Sequence, residues 1–251
     1  MEDSLAGRVV LVTGASSGIG RAIARACAAA GADLLLTYRD SAAGAEATAA
    51  AVGSGRRVEI VQLDLANPTS IGQLVEAARR LYGRVDAWIN NAGADILTGE
   101  TALSTREKLD LLISVDLRGT ILASWAAVEL MQAQAGGGVI INMSWDHVLT
   151  GMEGRNPQMF AAVKGGILSF SKALARSVAP AVRVNVLAPG WIETAFGAGI
   201  DRARYDAIAQ ATPLKRWGTP EDVAGAAVYL ASPAAAFLTG QTILINGGVV
   251  M

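Results

Sequence analysis

A glycine-rich turn lies near the beginning of the chain, between an apolar run and a helical pattern. Residues 13–20 read Thr-Gly-Ala-Ser-Ser-Gly-Ile-Gly. Glycines in such a turn let the backbone approach a pyrophosphate, and the following helix offers free N–H groups and the positive end of its dipole. A strand before the turn and a helix after it are the context that this pattern needs. The turn predicts a dinucleotide site that includes Gly14, Ser16, Ser17, Gly18, Ile19 and Gly20.

A second group of side chains with chemical potential lies in the middle of the chain. His147 is the only histidine, and its unperturbed pKa suits proton donation near neutral pH. Asp116 is a carboxylate that can stabilise a cation, and Trp145 and Phe160 offer a cation aromatic faces. Lys164 follows Phe160 by four residues, so both side chains share one side of a predicted helix. The candidate catalytic residues are Asp116, Trp145, Asp146, His147, Phe160 and Lys164.

Short apolar runs alternate with alanine-rich helical stretches along the whole chain. This alternation predicts an α/β fold, a single-domain Rossmann-type, doubly wound parallel sheet of about seven strands with helices on both faces. The domain spans residues 1–251, and the long connection at about 191–217 is the predicted substrate lid. The predicted strands cover residues 9–13, 34–37, 58–63, 87–89, 138–143, 182–187 and 242–245. The predicted helices cover residues 18–30, 42–52, 67–82, 107–134, 157–178 and 202–211.

Charge and composition exclude several classes of function. The chain has 21 Lys plus Arg and 22 Asp plus Glu, so no general electrostatic attraction to nucleic acid or to an anionic membrane is expected. Hydrophobic residues make up 52%, which is enough for a large core. One cysteine and one histidine exclude a disulfide framework and the common zinc patterns, so we expect no metal.

The sequence predicts neither a membrane span nor a signal peptide. No run of about 18 uncharged apolar residues predicts a membrane span. The acidic start, Met1-Glu2-Asp3-Ser4, lacks the basic region of a signal peptide. We therefore expect a cytoplasmic protein that acts on a small molecule.

Several ordered motifs, spread over nearly the whole chain, resemble the classical short-chain dehydrogenase/reductase family. They are the TGxxxGxG spacing at 13–20, Asp64-Leu65, Asn90-Asn91-Ala92-Gly93, Pro189-Gly190-Trp191-Ile192-Glu193-Thr194, Arg216-Trp217-Gly218-Thr219-Pro220-Glu221-Asp222 and Leu238-Thr239-Gly240-Gln241-Thr242. The resemblance implies an oxidoreductase that uses a nicotinamide dinucleotide. It also implies further cofactor contacts at Asp64, Leu65, Asn91, Ala92, Gly93, Lys164, Pro189, Gly190, Ile192 and Thr194.

The residues after the second strand favour NADPH over NADH. An NAD site places an acidic residue about 20 positions after the glycines, where it holds the ribose 2′-hydroxyl. Tyr38 occupies the matching position here and Arg39 follows it. An arginine can pair with the 2′-phosphate and stack on adenine. Asp40 is close by, so NADH remains possible.

The catalytic residues depart from the family's Asn, Ser, Tyr and Lys. Phe160 stands four residues before Lys164, where the family has tyrosine, and Asp116 stands where it has asparagine. Trp145 replaces the serine if the end of the strand sets the register. Counting 13 residues back from Phe160 instead reaches His147, which indicates a two-residue insertion. The chain is thus interpreted as an atypical member that lacks the catalytic tyrosine and serine.

Three functions are compatible with these departures. General acid catalysis contributes roughly 10²–10⁴-fold, or about 3–5 kcal/mol of barrier, and phenylalanine cannot supply it. An imine can be protonated in water beforehand, so an NADPH-dependent imine reductase for a bulky or cyclic C=N substrate is the favoured interpretation. The alternatives are a ketone or activated C=C reductase with His147 or Asp146 as a relocated proton donor, and a cofactor-binding pseudoenzyme.

The remaining predictions concern the substrate pocket and assembly. Family members form tetramers through the long helix, the lysine-bearing helix and the last strand, so the resemblance implies a homotetramer or homodimer. The predicted substrate pocket consists of Ser144, Met152, Met159, Trp191 and Phe196.

Overall fold

The structure is a computed structural model that describes residues 4–53, 55–97, 102–194 and 200–251. Within these residues, seven strands form one sheet in the order β3-β2-β1-β4-β5-β6-β7, and every neighbouring pair is parallel. The prediction of a single-domain Rossmann-type fold is confirmed. The strands are β1 Val9–Val12, β2 Asp33–Tyr38, β3 Val58–Gln62, β4 Ala87–Asn90, β5 Gly138–Met143, β6 Val182–Pro189 and β7 Thr242–Ile245.

Helices cover both faces of the sheet and bury a separate apolar cluster on each side. One cluster joins the first and last long helices to the sheet, and the other joins the central helices to the opposite face. This two-sided burial explains why β1 and β4 are apolar without alternation. The helices are α1 Gly18–Ala29, α2 Ala42–Ala50, α3 Pro68–Tyr82, α4 Thr105–Leu111, α5 Gly119–Gln132, α6 Arg155–Val178, α7 Arg202–Ala211 and α8 Pro220–Ala231.

The long helix predicted over residues 107–134 consists of three segments. A π-helix, Leu112–Arg118, joins α4 to α5 and carries Asp116 on its buried side. A π-helical turn inserts an extra residue without leaving the helical axis, so apolar periodicity does not reveal it. Because of the extra residue, the Asp116 side chain leaves the helix axis at a different angle from the one it would have in a regular α-helix.

The same composite helix, Thr105–Gln132, is long and apolar enough to cross a membrane by length and composition. Half of its most apolar window is buried inside the protein, and α5 packs against α3 and α6. A core helix of an α/β domain meets the same criteria.

Candidate functional site

A cavity lies at the carboxyl ends of β1 and β4. Strand order reverses between these two strands, since β1 connects onward to β2 whereas β4 lies on its other side. Open α/β sheets bind ligands in the crevice at such a switch point. A trough of about 590 Å³ occupies this crevice.

The glycine-rich turn fits the pyrophosphate of a dinucleotide. A Cβ atom at Gly20 would lie 2.2 Å from the carbonyl oxygen of Gly14, so only glycine permits this approach. The N-cap of α1, Ser17, makes no side-chain capping hydrogen bond, and the first turn of α1 has no acidic residue. The first-turn N–H groups therefore remain available for an anion at the positive end of the helix dipole.

Most of the sequence-predicted cofactor residues line this trough, whereas Lys164, Pro189, Gly190 and Ile192 line a smaller neighbouring cavity. Tyr38 and Arg39 line one part of the trough, where the Arg39 Nε donates to Asp40 Oδ2 at 2.6 Å and both side chains are exposed. The predicted residues that line the trough are Gly14, Ser16, Ser17, Gly18, Ile19, Gly20, Tyr38, Arg39, Asp64, Leu65, Asn91, Ala92, Gly93 and Thr194. Sequence reasoning missed Thr37, Ser41, Leu63, Ala94, Asp95, Leu111 and Val115, which also line it.

Asn91 holds the glycine-rich turn in place. Its Nδ2 atom donates to the carbonyl oxygens of Thr13 at 2.9 Å and Gly14 at 3.2 Å. The backbone N–H groups of Asn91 and Ala92 in turn donate to Thr13 Oγ1, at 3.0 and 2.9 Å. The end of β4 and the turn after β1 thus form one hydrogen-bonded unit.

A smaller cavity of about 170 Å³, here called the inner chamber, lies beyond Ile19 and Thr194. Ser144, Trp145, Phe160 and Lys164 line one side of it. Pro189, Gly190, Trp191 and Ile192 line another side, together with Ile19, Thr194, Asn91, Leu97 and Met143.

Lys164 and Asp116 form a buried ion pair at the wall of the chamber. Lys164 Nζ lies 2.8 Å from Asp116 Oδ2, and the two side chains are 8% and 0% exposed. Asp116 Oδ1 accepts a hydrogen bond from the Ala94 N–H at 2.8 Å. Gly93 leaves room for this carboxylate, since a Cβ atom there would lie 2.9 Å from Oδ2. The positive charge of Lys164 is therefore compensated within the protein.

Two aromatic rings and the hydroxyl group of Ser144 form the rest of that wall. Lys164 Nζ lies 5.3 Å from the centre of the Phe160 ring, and Trp145 packs edge-on against the same ring at 5.3 Å. Ser144 Oγ donates to the carbonyl oxygen of Lys164 at 2.8 Å, so its proton is already used. Trp145, rather than His147, lines the chamber, which agrees with the register set by the end of β5.

Asp146 and His147 lie behind Trp145 and do not line the inner chamber. His147 Nδ1 lies 2.7 Å from Asp146 Oδ1, and its ring stacks on Trp145 with centres 4.9 Å apart. Asp146 is fully buried, and its Oδ2 accepts a hydrogen bond from Asn246 Nδ2 at 3.2 Å. Sequence reasoning missed Asn246, because 100 residues separate it from its partner.

A buried polar network fixes the strand ends beneath the site. Asn90 Nδ2 donates to Asn142 Oδ1 at 2.8 Å, which ties β4 to β5. Asn142 Nδ2 donates to Ser171 Oγ at 2.8 Å, which ties β5 to α6. Trp88 Nε1 donates to Asn90 Oδ1 at 2.9 Å. Satisfied buried polar networks make an arrangement rigid, so the network holds the helix of Lys164 at a set distance from the sheet.

The predicted substrate-pocket residues separate into different places. Ser144 and Trp191 line the inner chamber, whereas Met152 lines a neighbouring cavity that Trp191 also touches. The prediction for Met159 needs correction, because its side chain packs in a small core with Ile96, Leu112 and Val163 and lines neither cavity. Phe196 lies outside the described residues, as do the other residues of the predicted lid at 195–199.

Two further titratable groups lie outside this site. Burial raises the pKa of the Cys27 thiol to about 12, which suits a small core residue rather than a reactive one. The hydrogen-bonded Arg216 guanidinium lowers the pKa of Asp222 to about 2. Among the described residues, no group of three His, Cys, Asp or Glu side chains is placed to hold a metal ion.

Known proteins resemble the chain over its full length. The family described as enoyl-(acyl carrier protein) reductase matches residues 14–250. A 3-oxoacyl-(acyl-carrier-protein) reductase of Synechocystis sp. is 38% identical over 255 residues, covering 99% of both chains. The corresponding Escherichia coli reductase is 36% identical over 249 residues, covering 98% of both chains.

Solved structures give the same result. A short-chain dehydrogenase/reductase from Brucella melitensis, described as a glucose/ribitol dehydrogenase, superposes with a TM-score of 0.89. It is 33% identical, and the alignment covers 100% of each chain. The chain therefore belongs to the short-chain dehydrogenase/reductase family of oxidoreductases.

Proposed function

We propose that the chain is an NADPH-dependent reductase with an atypical active site, whose favoured substrate is a cyclic imine that arrives protonated, as an iminium ion. The observation that carries the proposal is the wall formed by Phe160, Lys164 and Asp116. This wall has an aromatic ring and a neutralised ion pair at the position where the resemblance to the family implies a proton donor. When bound in the trough, NADPH supplies a hydride to the substrate carbon.

The proposal rests first on the absence of a free proton donor in the inner chamber as far as the structure describes it. Phe160 has no hydroxyl group, and the Ser144 hydroxyl donates to a backbone carbonyl. Lys164 is paired with Asp116. Reduction of a ketone produces an alkoxide that needs a proton, whereas reduction of an iminium ion produces a neutral amine and needs none.

The charges of the chamber support a cationic substrate. An uncompensated Lys164 would repel an iminium ion, but the adjacent Asp116 carboxylate cancels its charge at 2.8 Å. Phe160, Trp145 and Trp191 also line the chamber. Aromatic faces attract cations, by about 0.5–2 kcal/mol depending on how far the site is desolvated.

NADPH is the proposed cofactor because Tyr38 and Arg39 line the part of the trough where the resemblance to the family predicts the adenosine ribose. No carboxylate stands at position 38 to hold a ribose 2′-hydroxyl. Asp40 already pairs with Arg39, so a 2′-phosphate competes with it for the guanidinium. We expect Arg39→Gln to weaken NADPH binding and leave NADH binding unchanged.

The experiment compares a six-membered cyclic imine with the ketone of the same ring, and follows NADPH consumption over a range of pH. We expect the imine to be reduced at least 100-fold faster than the ketone, because a general acid accelerates such a reaction roughly 10²–10⁴-fold and the ketone has none here. The imine rate should rise as the pH falls through the pKa of the imine itself. Equal turnover of the ketone contradicts the proposal.

A second candidate is a ketone or activated C=C reductase that uses His147 as its proton donor. The observation that favours it is the contact between His147 Nδ1 and the buried Asp146 carboxylate at 2.7 Å, which orients the imidazole. His147→Gln should then abolish ketone turnover and leave NADPH binding intact. If neither the imine nor the ketone is reduced while NADPH still binds, a cofactor-binding pseudoenzyme is favoured.

The assembly and location of the protein are further proposals. We propose a homotetramer or homodimer in the cytoplasm, as expected from the family resemblance.

A further inference from the structure

A second cavity of about 340 Å³, here called the outer cavity, opens beside the inner chamber. The two share Leu97 and Trp191 in their walls. The turn before α6, the first residues of α6 and Arg204 of α7 form the rest of the outer cavity. None of its described lining residues belongs to the cofactor trough. The outer cavity is therefore available to the substrate and not to the dinucleotide.

The inner chamber is too small to hold a large substrate in full. A cavity of about 150 Å³ holds a benzene ring, and the inner chamber measures about 170 Å³. Pro189 and Thr194, two of the residues predicted to contact the cofactor, also line it, so part of this volume is expected to belong to the cofactor. Only the reacting group of a substrate then has room beside the cofactor, and the rest of the molecule can extend past Trp191 into the outer cavity.

The outer cavity carries an excess of positive charge. Arg155 and Arg204 line it, opposed by the single carboxylate of Glu153. Within the described part of the chain, neither guanidinium has an ion-pair partner, whereas the neighbouring Arg202 pairs with Asp206 at 3.0 Å. The planar guanidinium group binds a carboxylate with two parallel hydrogen bonds. Two such donors are therefore free to bind an anion at the mouth of the active site.

We propose that the outer cavity binds a carboxylate carried by the substrate on a short tail, with Arg155 and Arg204 as its ligands. The substrate class is then a cyclic imine with an acidic side chain, and this assignment of the ring rests on the proposed function. Glu153 disfavours a second negative charge, so a single carboxylate is preferred.

Equilibrium binding tests the inference without any reaction. The probes are piperidine carrying a propionate side chain and its methyl ester, which has similar size and no charge on the tail. We expect the native chain to bind the acid roughly tenfold more tightly than the ester at low ionic strength, and this preference to shrink in high salt. The double variant Arg155→Gln/Arg204→Gln should bind acid and ester within about twofold of each other.

Arg176→Gln is the matched control, because Arg176 lies on the same helix as Arg155 but in its last turn, away from the cavity. It should keep the full preference for the acid. Failure of the native chain to prefer the acid, or a preference that survives in the double variant, overturns the inference.

Turnover of the matching imines separates this inference from the proposed function. We expect the acid to have a roughly tenfold lower KM than the ester, with kcat within about twofold. If the binding preference depends on the two arginines but neither imine is reduced, the result supports the carboxylate site in the outer cavity and contradicts the imine reductase. Equal KM values for both imines support the reductase and overturn the outer site.

Discussion

The Phe160 ring lies beside Lys164 in the inner chamber without a hydroxyl group to donate. Phe160→Tyr restores a phenol four residues before the lysine. We expect ketone turnover, measured as kcat/KM, to rise at least tenfold, because a positioned general acid contributes roughly 10²–10⁴-fold. Imine turnover should change by less than about threefold, since the iminium ion brings its own proton.

Phe170→Tyr is the control for that substitution. Phe170 lies on the same helix but packs against Trp125 outside the chamber, with ring centres 6.2 Å apart. It adds the same hydroxyl group without placing it near the substrate. A ketone rate that rises equally in both variants, or in neither, contradicts the role assigned to position 160.

Asp116 has an electrostatic role that the ion pair makes testable. Asp116→Asn keeps the shape of the side chain and leaves Lys164 uncompensated in a buried wall. We expect kcat/KM for the imine to fall by tenfold or more, because the free ammonium repels the iminium ion. Asp110→Asn, an exposed carboxylate of α4, should leave the imine rate unchanged.

Stability gives an independent check of the same pair. Breaking a buried ion pair on one side costs about 3–5 kcal/mol, whereas removing both charges costs much less. The melting temperature of Asp116→Asn should therefore recover in the double variant Asp116→Asn/Lys164→Met. An imine rate that Asp116→Asn leaves intact would mean that the carboxylate has no part in binding the cation.

The sequence predicts most elements of this fold because each is a local pattern. The span of β5 and of α7 agrees with the prediction to the residue, since an apolar run and a helical period depend only on neighbours. The π-helix at Asp116 was not predicted, because its extra residue leaves the apolar pattern unchanged.

The site is only partly predictable for a similar reason. The cofactor residues follow strand ends within short motifs, and all of those predicted for the glycine-rich turn line the trough. By contrast, the link between Asn246 and Asp146, and the placement of Met159 in a core, depend on contacts between distant elements. No local pattern reports such contacts.

Contacts at the start of α8 make a pH-dependent contribution to the free energy of unfolding. Thr219 and Asp222 form a capping box, and Arg216 donates to both carboxylate oxygens of Asp222, at 2.6 and 3.0 Å. These contacts lower the pKa of Asp222 to about 2, from an ordinary value of 3.8. Because the folded pKa lies below the unfolded one, the contribution is complete above about pH 4 and is lost as the pH falls towards 2.

Asp222→Asn should lower the free energy of unfolding by about 1 kcal/mol at pH 7, the usual worth of a helix cap. The difference from the native chain should shrink between pH 4 and pH 2, which urea unfolding at several pH values measures. Glu221→Gln is the control, since this exposed neighbour also lies in the first turn but does not take part in the capping box. A difference that stays constant down to pH 2 contradicts the assigned pKa shift.

The ligand-binding cavities and the exposed apolar side chains lie in different parts of the molecule. The trough and both cavities lie at the carboxyl ends of the strands, where loops supply the polar groups. An apolar surface lies elsewhere, on α5 and α6, where Trp125 is 51% exposed and packs edge-on against Phe170. Ile113, on the π-helix that leads into α5, is 42% exposed. Large exposed apolar side chains such as Trp125 are candidates for a protein–protein interface.

Trp125→Glu tests whether this surface joins copies of the chain. We expect the native chain to elute as a dimer or tetramer in size-exclusion chromatography with light scattering, and the variant as a smaller species, because a buried charge at an interface lacks a partner. Gln73→Glu, which adds the same charge at an exposed position of α3, should keep the native mass. If the native chain is monomeric, or if the variant keeps the native mass, Trp125 has no role in assembly. Because α6 also carries Lys164, loss of assembly should lower imine turnover together with the mass.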